Sequence, residues 1–138
     1  MEERLVAEAP WMMYKKGYYY LFYSSGWTFE TKYHIRVARG RHVTGPFVRT
    51  QRPVLTTDWE RYNQGINCSF IGPGHGSIVE SGGDWWMIYH AWLYGRLNKE
   101  PGRVLMMDQV VWKEGWPIVG VPSDTPQHVP TIHPWQNV

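Results

Sequence analysis

The chain has a single cysteine, Cys68, among its 138 residues, so no intramolecular disulfide can form, and no Cys/His cluster has the spacing of a structural zinc site. Cys68 is expected to be a small buried or half-buried residue. Charge of one sign is also scarce: 14 Lys and Arg stand against 12 Asp and Glu, a net +2. The basic residues (Lys15, Lys16, Arg36, Arg39, Arg41, Arg49, Arg52) are scattered along the chain, which argues against a nucleic-acid partner. No apolar run is long enough for a signal segment or a membrane helix, and MEERLVAEAP has acidic residues where a signal peptide carries positive charge. The chain as given therefore reads as soluble, unexported and without a membrane partner. A helical period of useful length is lacking as well.

What the chain has in excess is aromatic side chains, 16% of the total, with nine Trp and nine Tyr. So many cannot all be core in so small a protein, and some are expected to line a surface or cleft. Exposed aromatic faces suit sugar rings, although bulky strand residues would give the same count. Residues 18–23 and 85–90 are dense in aromatic and long apolar residues. Gly17 bounds the first run, and Gly82, Gly83 and Asp84 bound the second, so both read as strands. This predicts an all-β protein.

A repeat runs through the sequence. Setting Glu8 against His75 aligns APWMMYKKGYYYLFYSS with GSIVESGGDWWMIYHAW, and the same offset lays Arg36 on Arg103, each just before a valine (Val37, Val104). Both units end in a turn of Gly, Pro and an aromatic residue, GPF at 45–47 and GWP at 115–117. Units of this size with several short strands and Gly-rich hairpins are propeller blades. The expected architecture is a partial β-propeller of about two four-stranded antiparallel blades in a single domain, residues 1–138. One blade-like repeat covers about 5–60 and another about 70–120, followed by an extended Pro-rich tail over 121–138. Residues 49–73 read as a long connector with few strand signals. A sandwich-like packing of the two sheets is the alternative.

Propellers close with about four to eight blades, so two blades leave sheet faces uncovered. Faces rich in Trp and Tyr should not stay in water. Self-association into a homo-oligomer, two copies giving four blades or three giving six, is the expected route to their burial.

The segments AEAPWMMYKKGYYYLFYSSG, VARGRHVTGPF, GPGHGSIV, DWWMIYHAW, GRVLMMDQVVWKEGWPIV and PSDTP, in this order over residues 5 to 126, resemble the second half of a family 43 glycoside hydrolase of the β-xylosidase and α-L-arabinofuranosidase type. The resemblance implies the C-terminal two blades of a five-bladed propeller with its active site on the central axis. It implies activity on xylose- or arabinose-containing plant polysaccharides or oligosaccharides. The relatives invert the anomeric centre with a general acid Glu, a general base Asp and a second Asp that orients the acid.

The family's acid falls on Glu8. The residues themselves support it: a lone carboxylate beside Ala9, Pro10 and Trp11, where desolvation would favour the protonated form that a donor needs. His75, in a G-x-G-H pattern, falls where relatives place an imidazole on the axis near a calcium or sodium ion and beneath the sugar. It is thus a candidate for substrate and metal binding. Calcium prefers six to eight oxygens, so waters would have to complete the shell. Gly72, Gly74 and Gly76 let the backbone crowd the axis. Arg103 falls where a guanidinium reaches the sugar pocket; its repeat partner Arg36 reads equally well as a structural arginine. Trp11 and Trp86 are candidate stacking platforms.

The family's two aspartates come from blades with no counterpart in these residues. Inversion needs two carboxylates about 6.5–9.5 Å apart, so Glu8 alone is not enough. A second Glu8 from another subunit is one source, and Asp58, Glu60 or Asp108 another, with Asp84 reading as a hairpin residue. The alternative is a non-catalytic carbohydrate-binding half-propeller.

Overall fold

The computed structural model describes residues 6–127. Two four-stranded antiparallel sheets follow one another in the chain. The first is β1 (Ala7–Lys15), β2 (Tyr18–Ser25), β3 (His34–Gly40) and β4 (Val48–Arg49). After α1 (Trp59–Asn63) comes the second, β5 (Phe70–Ser81), β6 (Asp84–Leu93), β7 (Arg103–Lys113) and β8 (Trp116–Ile118). Strand order equals chain order in both sheets, as in the blades expected from the repeat.

The hairpins explain the register. Lys16-Gly17, Gly82-Gly83 and Glu114-Gly115 all have positive φ at both positions, the geometry of two-residue turns whose twist matches the flanking strands. Each closes directly on a strand pair: Lys15 with Tyr18, Ser81 with Asp84, Lys113 with Trp116. Asp84 is thus the hairpin residue the sequence suggested.

Alternation along the strands then decides which face is buried. Tyr20, Phe22, Ile35 and Val37 of the first sheet meet Ile78, Met87, Tyr89, Ala91, Met106 and Val110 of the second in one core. Val54 and Leu55 complete it from the connector, and Leu55 bridges to Ile35 on one side and Gly120 on the other. Burial of each large side chain contributes about 1.5–3 kcal/mol, so the joint between the sheets is the main source of cohesion. The reverse face of the second sheet is different. Val79, Leu105, Met107 and Val111 are all exposed there, Leu105 at 79%.

Two details of the connector depart from the sequence reading. Its segment Trp59–Asn63 is helical, started by Asp58, whose Oδ1 accepts the Arg61 N–H at 3.1 Å. One turn is too short to leave a hydrophobic period. β5 already begins at Phe70, inside the stretch taken for connector, because the Gly-Pro-Gly run there serves as strand rather than turn. Cys68 is buried and free, its thiol pushed up by burial.

The start of the tail runs over the second sheet. Buried Asp108 accepts hydrogen bonds from Tyr89 Oη (2.5 Å), Ser123 N (3.1 Å), Ser123 Oγ (2.6 Å) and Gln127 Nε2 (3.2 Å). The rest of the expected tail, 128–138, lies outside the described residues.

Candidate functional site

β1 and β5, which the repeat places in equivalent positions, lie against one another between the sheets. Both are bulged at the residues singled out above. The register of β1 shifts between Glu8 and Trp11, with Ala9 at φ 52, and that of β5 shifts on either side of Gly74, with His75 at φ 57. A positive φ at a residue other than glycine costs about 1–3 kcal/mol and gathers at functional sites. In β5 it turns His75 out of the ladder, whereas in β1 Glu8 stays paired with Ser24 and the bulge falls on Ala9 and Pro10. Glu8 and His75 are both exposed, so Ala9, Pro10 and Trp11 do not bury Glu8 as their sequence proximity suggested.

Glu8 is held instead by a residue from β3's approach. Tyr33, 1% exposed, donates its hydroxyl to Glu8 Oε1 at 2.7 Å. Its phenol is pushed up to about 12, by burial first and then by the bond to Glu8, so it remains a donor across the working range of pH. Behind it, Ser24 Oγ accepts the His75 N–H at 2.7 Å. Gly74 makes room for the ring: a Cβ there would lie 1.7 Å from Tyr33 Cε1. The glycines of G-x-G-x-G thus admit the neighbouring sheet.

Arg103, at the start of β7, closes the site from the other side. Nε donates to His90 Nδ1, Nη1 to Thr28 O (2.9 Å), and Nη2 to Gly72 O (2.5 Å) and His90 O (2.8 Å). Four of the five guanidinium N–H groups are committed in this way, which leaves one on Nη1 for anything else. The cation lies 5.2 Å from the Tyr33 ring centroid and 5.4 Å from that of Trp92. Burial pulls it down to about 10, still charged at neutral pH. It therefore ties the second sheet to the Thr28 loop while presenting positive charge to the site.

His90 is pulled down to about 4, by burial first, then by the charges of Arg103 and His75. It is neutral, and since Nδ1 accepts from Arg103 its proton sits on Nε2, a donor. Its ring centroid is 5.6 Å from that of His75. Glu8, Tyr33, Ser24, His75, His90 and Arg103 make one constellation at the junction of the sheets.

The other candidates fall outside it. Trp86 is 1% exposed, and its buried Nε1 has no partner among the described residues. So deeply buried a ring cannot serve as a stacking platform, although strand alternation puts it on the same face as the exposed Val79, Leu105 and Met107. Trp11 is 41% exposed on β1 and is available to a sugar face. Arg36 is buried, with Nε on His34 Nε2 at 3.0 Å. Asp58, Asp84 and Asp108 are engaged in the helix cap, the hairpin and the tail, and Glu60 sits exposed in the first turn of α1. Among the described residues no group of three His, Cys, Asp or Glu is placed to hold a metal, so a calcium ion at His75 would depend on waters for most of its shell.

Sequence reasoning missed Tyr33, Ser24 and His90. The one signal for Tyr33 was indirect, the side-chain gap at Gly74, which announces a bulky neighbour without naming it.

Comparison with known proteins bears on this geometry. Residues 1–117 match the profile of glycosyl hydrolases family 43. The chain is 27% identical, over 93% of its length, to a xylan 1,3-beta-xylosidase of a Vibrio species, and 31% identical, over 81%, to a xylosidase/arabinosidase of Butyrivibrio fibrisolvens. It spans 26% and 21% of those enzymes. Among solved structures, a thermostable family-43 glycoside hydrolase superposes with a TM-score of 0.76 at 26% identity, covering 92% of this chain and 39% of that one. The alpha-L-arabinanase of Cellvibrio cellulosa, in complex with arabinohexaose, gives 0.62 at 30% identity, covering 82% and 36%. The chain belongs to glycosyl hydrolases family 43.

Proposed function

We propose that the chain contributes to a glycosidase acting on xylose- or arabinose-containing plant polysaccharides or oligosaccharides, with Glu8 as the general acid. The observation that carries this reading is the exposed Glu8 carboxylate held by Tyr33 beside His75, His90 and Arg103. The named activities of the xylosidase and arabinosidase relatives support the substrate class. In the reaction, protonated Glu8 gives its proton to the glycosidic oxygen. The bond from that oxygen to the anomeric carbon breaks, the bond pair stays with the leaving oxygen, and water attacks from the opposite face. In this reading neutral His90 and the remaining Nη1 N–H of Arg103 orient sugar hydroxyls, and the exposed face of Trp11 offers a separate stacking surface. A second carboxylate must take the proton from water. In this reading a second copy brings it, docking through the exposed row Val79, Leu105, Met107 and Val111.

The test is solution mass by light scattering with an aryl-xyloside and aryl-arabinoside assay on the same fractions. Turnover that travels with an oligomer and is abolished by Glu8→Gln supports the reading. A monomer without turnover overturns it. The engagement of Asp58, Asp84 and Asp108 elsewhere favours a second reading, a carbohydrate-binding half-propeller, which would bind xylo- or arabino-oligosaccharides without releasing product.

A further inference from the structure

The geometry points to Tyr33 as a positioning residue for Glu8: its buried hydroxyl occupies Glu8 Oε1 and leaves Oε2 as the oxygen that carries the transferable proton. This rests on the glycosidase reading for its catalytic meaning, but the Tyr33–Glu8 bond itself stands on geometry.

A phenol facing a carboxylate can only donate to it, so Tyr33 aims its proton at Glu8 Oε1, 2.7 Å away. Tyr33 is 1% exposed, so water does not compete for its hydroxyl. Behind it, Ser24 Oγ accepts the His75 N–H at 2.7 Å and ties β2 to β5. The ring is locked between the Gly74 backbone on one side and the Arg103 cation on the other. A carboxyl beside a strand bulge would otherwise rotate freely and offer its proton from either oxygen. Tying Oε1 to a fixed donor removes that freedom, which is the kind of pre-orientation that general acids require.

Sequence spacing alone would not link these residues, since His75 and Ser24 belong to different sheets. The bulge at His75 is what turns its N–H out of the β5–β6 ladder and toward Ser24, so its backbone strain gains a purpose. The same bulge would be unexplained if His75 mattered only through its imidazole.

Two measurements test the inference. NMR of ring-labelled tyrosine follows the ionisation of each phenol in the wild type and in Glu8→Ala. Tyr33 is expected to ionise near 12 in the wild type and at lower pH in the variant, because the bond and the charge of Glu8 both hold its proton. An unchanged Tyr33 titration overturns the link. The second is turnover by Tyr33→Phe, which keeps the ring in its slot over Gly74. The kcat on xylobiose or alkyl glycosides, whose leaving groups need protonation, is expected to fall about 10-fold or more, while nitrophenyl glycosides, which need little, lose about 2-fold or less. An equal loss on both classes would mean that Tyr33 is only structural and would overturn the inference. Should the wild type show no turnover, the glycosidase reading is what fails, and the tyrosine titration then decides the link on its own.

Discussion

The Tyr33 ring fills the space that a side chain at position 74 would need: a Cβ on Gly74 would lie 1.7 Å from Cε1 and 2.2 Å from Cδ1 of that ring. Both partners are fixed, one as strand backbone and the other as a fully buried ring, so neither yields cheaply. Gly74→Ala is expected to lower stability by about 3 kcal/mol, the upper end of overpacking costs, read as a shift in urea midpoint at unchanged m. Since the clash is with one ring, Gly74→Ala combined with Tyr33→Leu should cost clearly less than the sum of the single changes. Additive costs would locate the strain elsewhere.

His90 supplies a pH dependence whose sign follows from its environment. Arg103 and His75 stand beside it, Glu8 lies within electrostatic reach, and its folded value is about 4 against an ordinary 6.5. Between those values the unfolded chain binds the proton and the folded one does not, so stability rises with pH across the window. The contribution is fully present above about 6.5 and is lost as pH falls through about 4. Thermal melts from neutral to acid pH should show this decline. His90→Asn, which keeps an acceptor for Arg103 Nε but does not titrate, should flatten it. An undiminished slope in the variant would assign the dependence to another group.

The fold was legible because its signals are local. Two-residue turns such as Lys16-Gly17 and Gly82-Gly83 sit between runs of alternating residues, and the repeat places equivalent strands in both sheets. Its residue pairing is one position off at the bulges, where His75 matches Ala9 and Glu8 matches Gly74, and it fails for Arg36 and Arg103, which pair with Tyr23 and Trp92. Half of the site was still legible, since Glu8 and His75 lie at the bulged stretches of β1 and β5. The other half was not. Tyr33 reaches Glu8 across β2, and His90 is a functional neighbour only because Gly74 pairs with it and Arg103 folds back over it. Such partnerships are set by which faces the two sheets present to each other, and nothing in spacing along one strand encodes that. The expected burial of Glu8 failed at the same level, since the carboxylate is exposed. Trp86 is buried although strand parity turns it away from the core that Met87 and Tyr89 enter, so alternation along β6 could not have shown it.

Asp108 anchors the tail rather than the chemistry. Its two oxygens accept from Tyr89, from the N–H and O–H of Ser123, and from Gln127. Burial and this carboxylate push the Tyr89 phenol far above its ordinary range, so it stays a donor. Asp108→Asn puts an N–H₂ where donors already point, and each unsatisfied buried group costs about 1–3 kcal/mol. The variant is expected to melt lower and to exchange the Ser123 amide proton faster. Protection of Ser123 equal to that of the wild type would show that the tail is held by other contacts.

Leu105, at 79% exposed on a central strand of the second sheet, faces outward with Met107 and Val111 on β7 and Val79 on β5. A lone exposed leucine is ordinary, but a row of four apolar residues on one sheet face marks a contact surface. Leu105→Glu adds a charge at a position that touches nothing in the core, so folding should be preserved, with a melting temperature within about 0.5 kcal/mol equivalent of the wild type. In an oligomer that docks through this face, the same charge would be buried without a partner, a cost that breaks the interface. Light scattering should then report a single chain for the variant and a multiple for the wild type, and aryl-glycoside turnover should disappear together with the larger mass. A variant that keeps the wild-type mass would exclude this face as the interface. A variant that becomes monomeric yet retains turnover would mean that one copy of the site suffices and that the second carboxylate comes from the same chain.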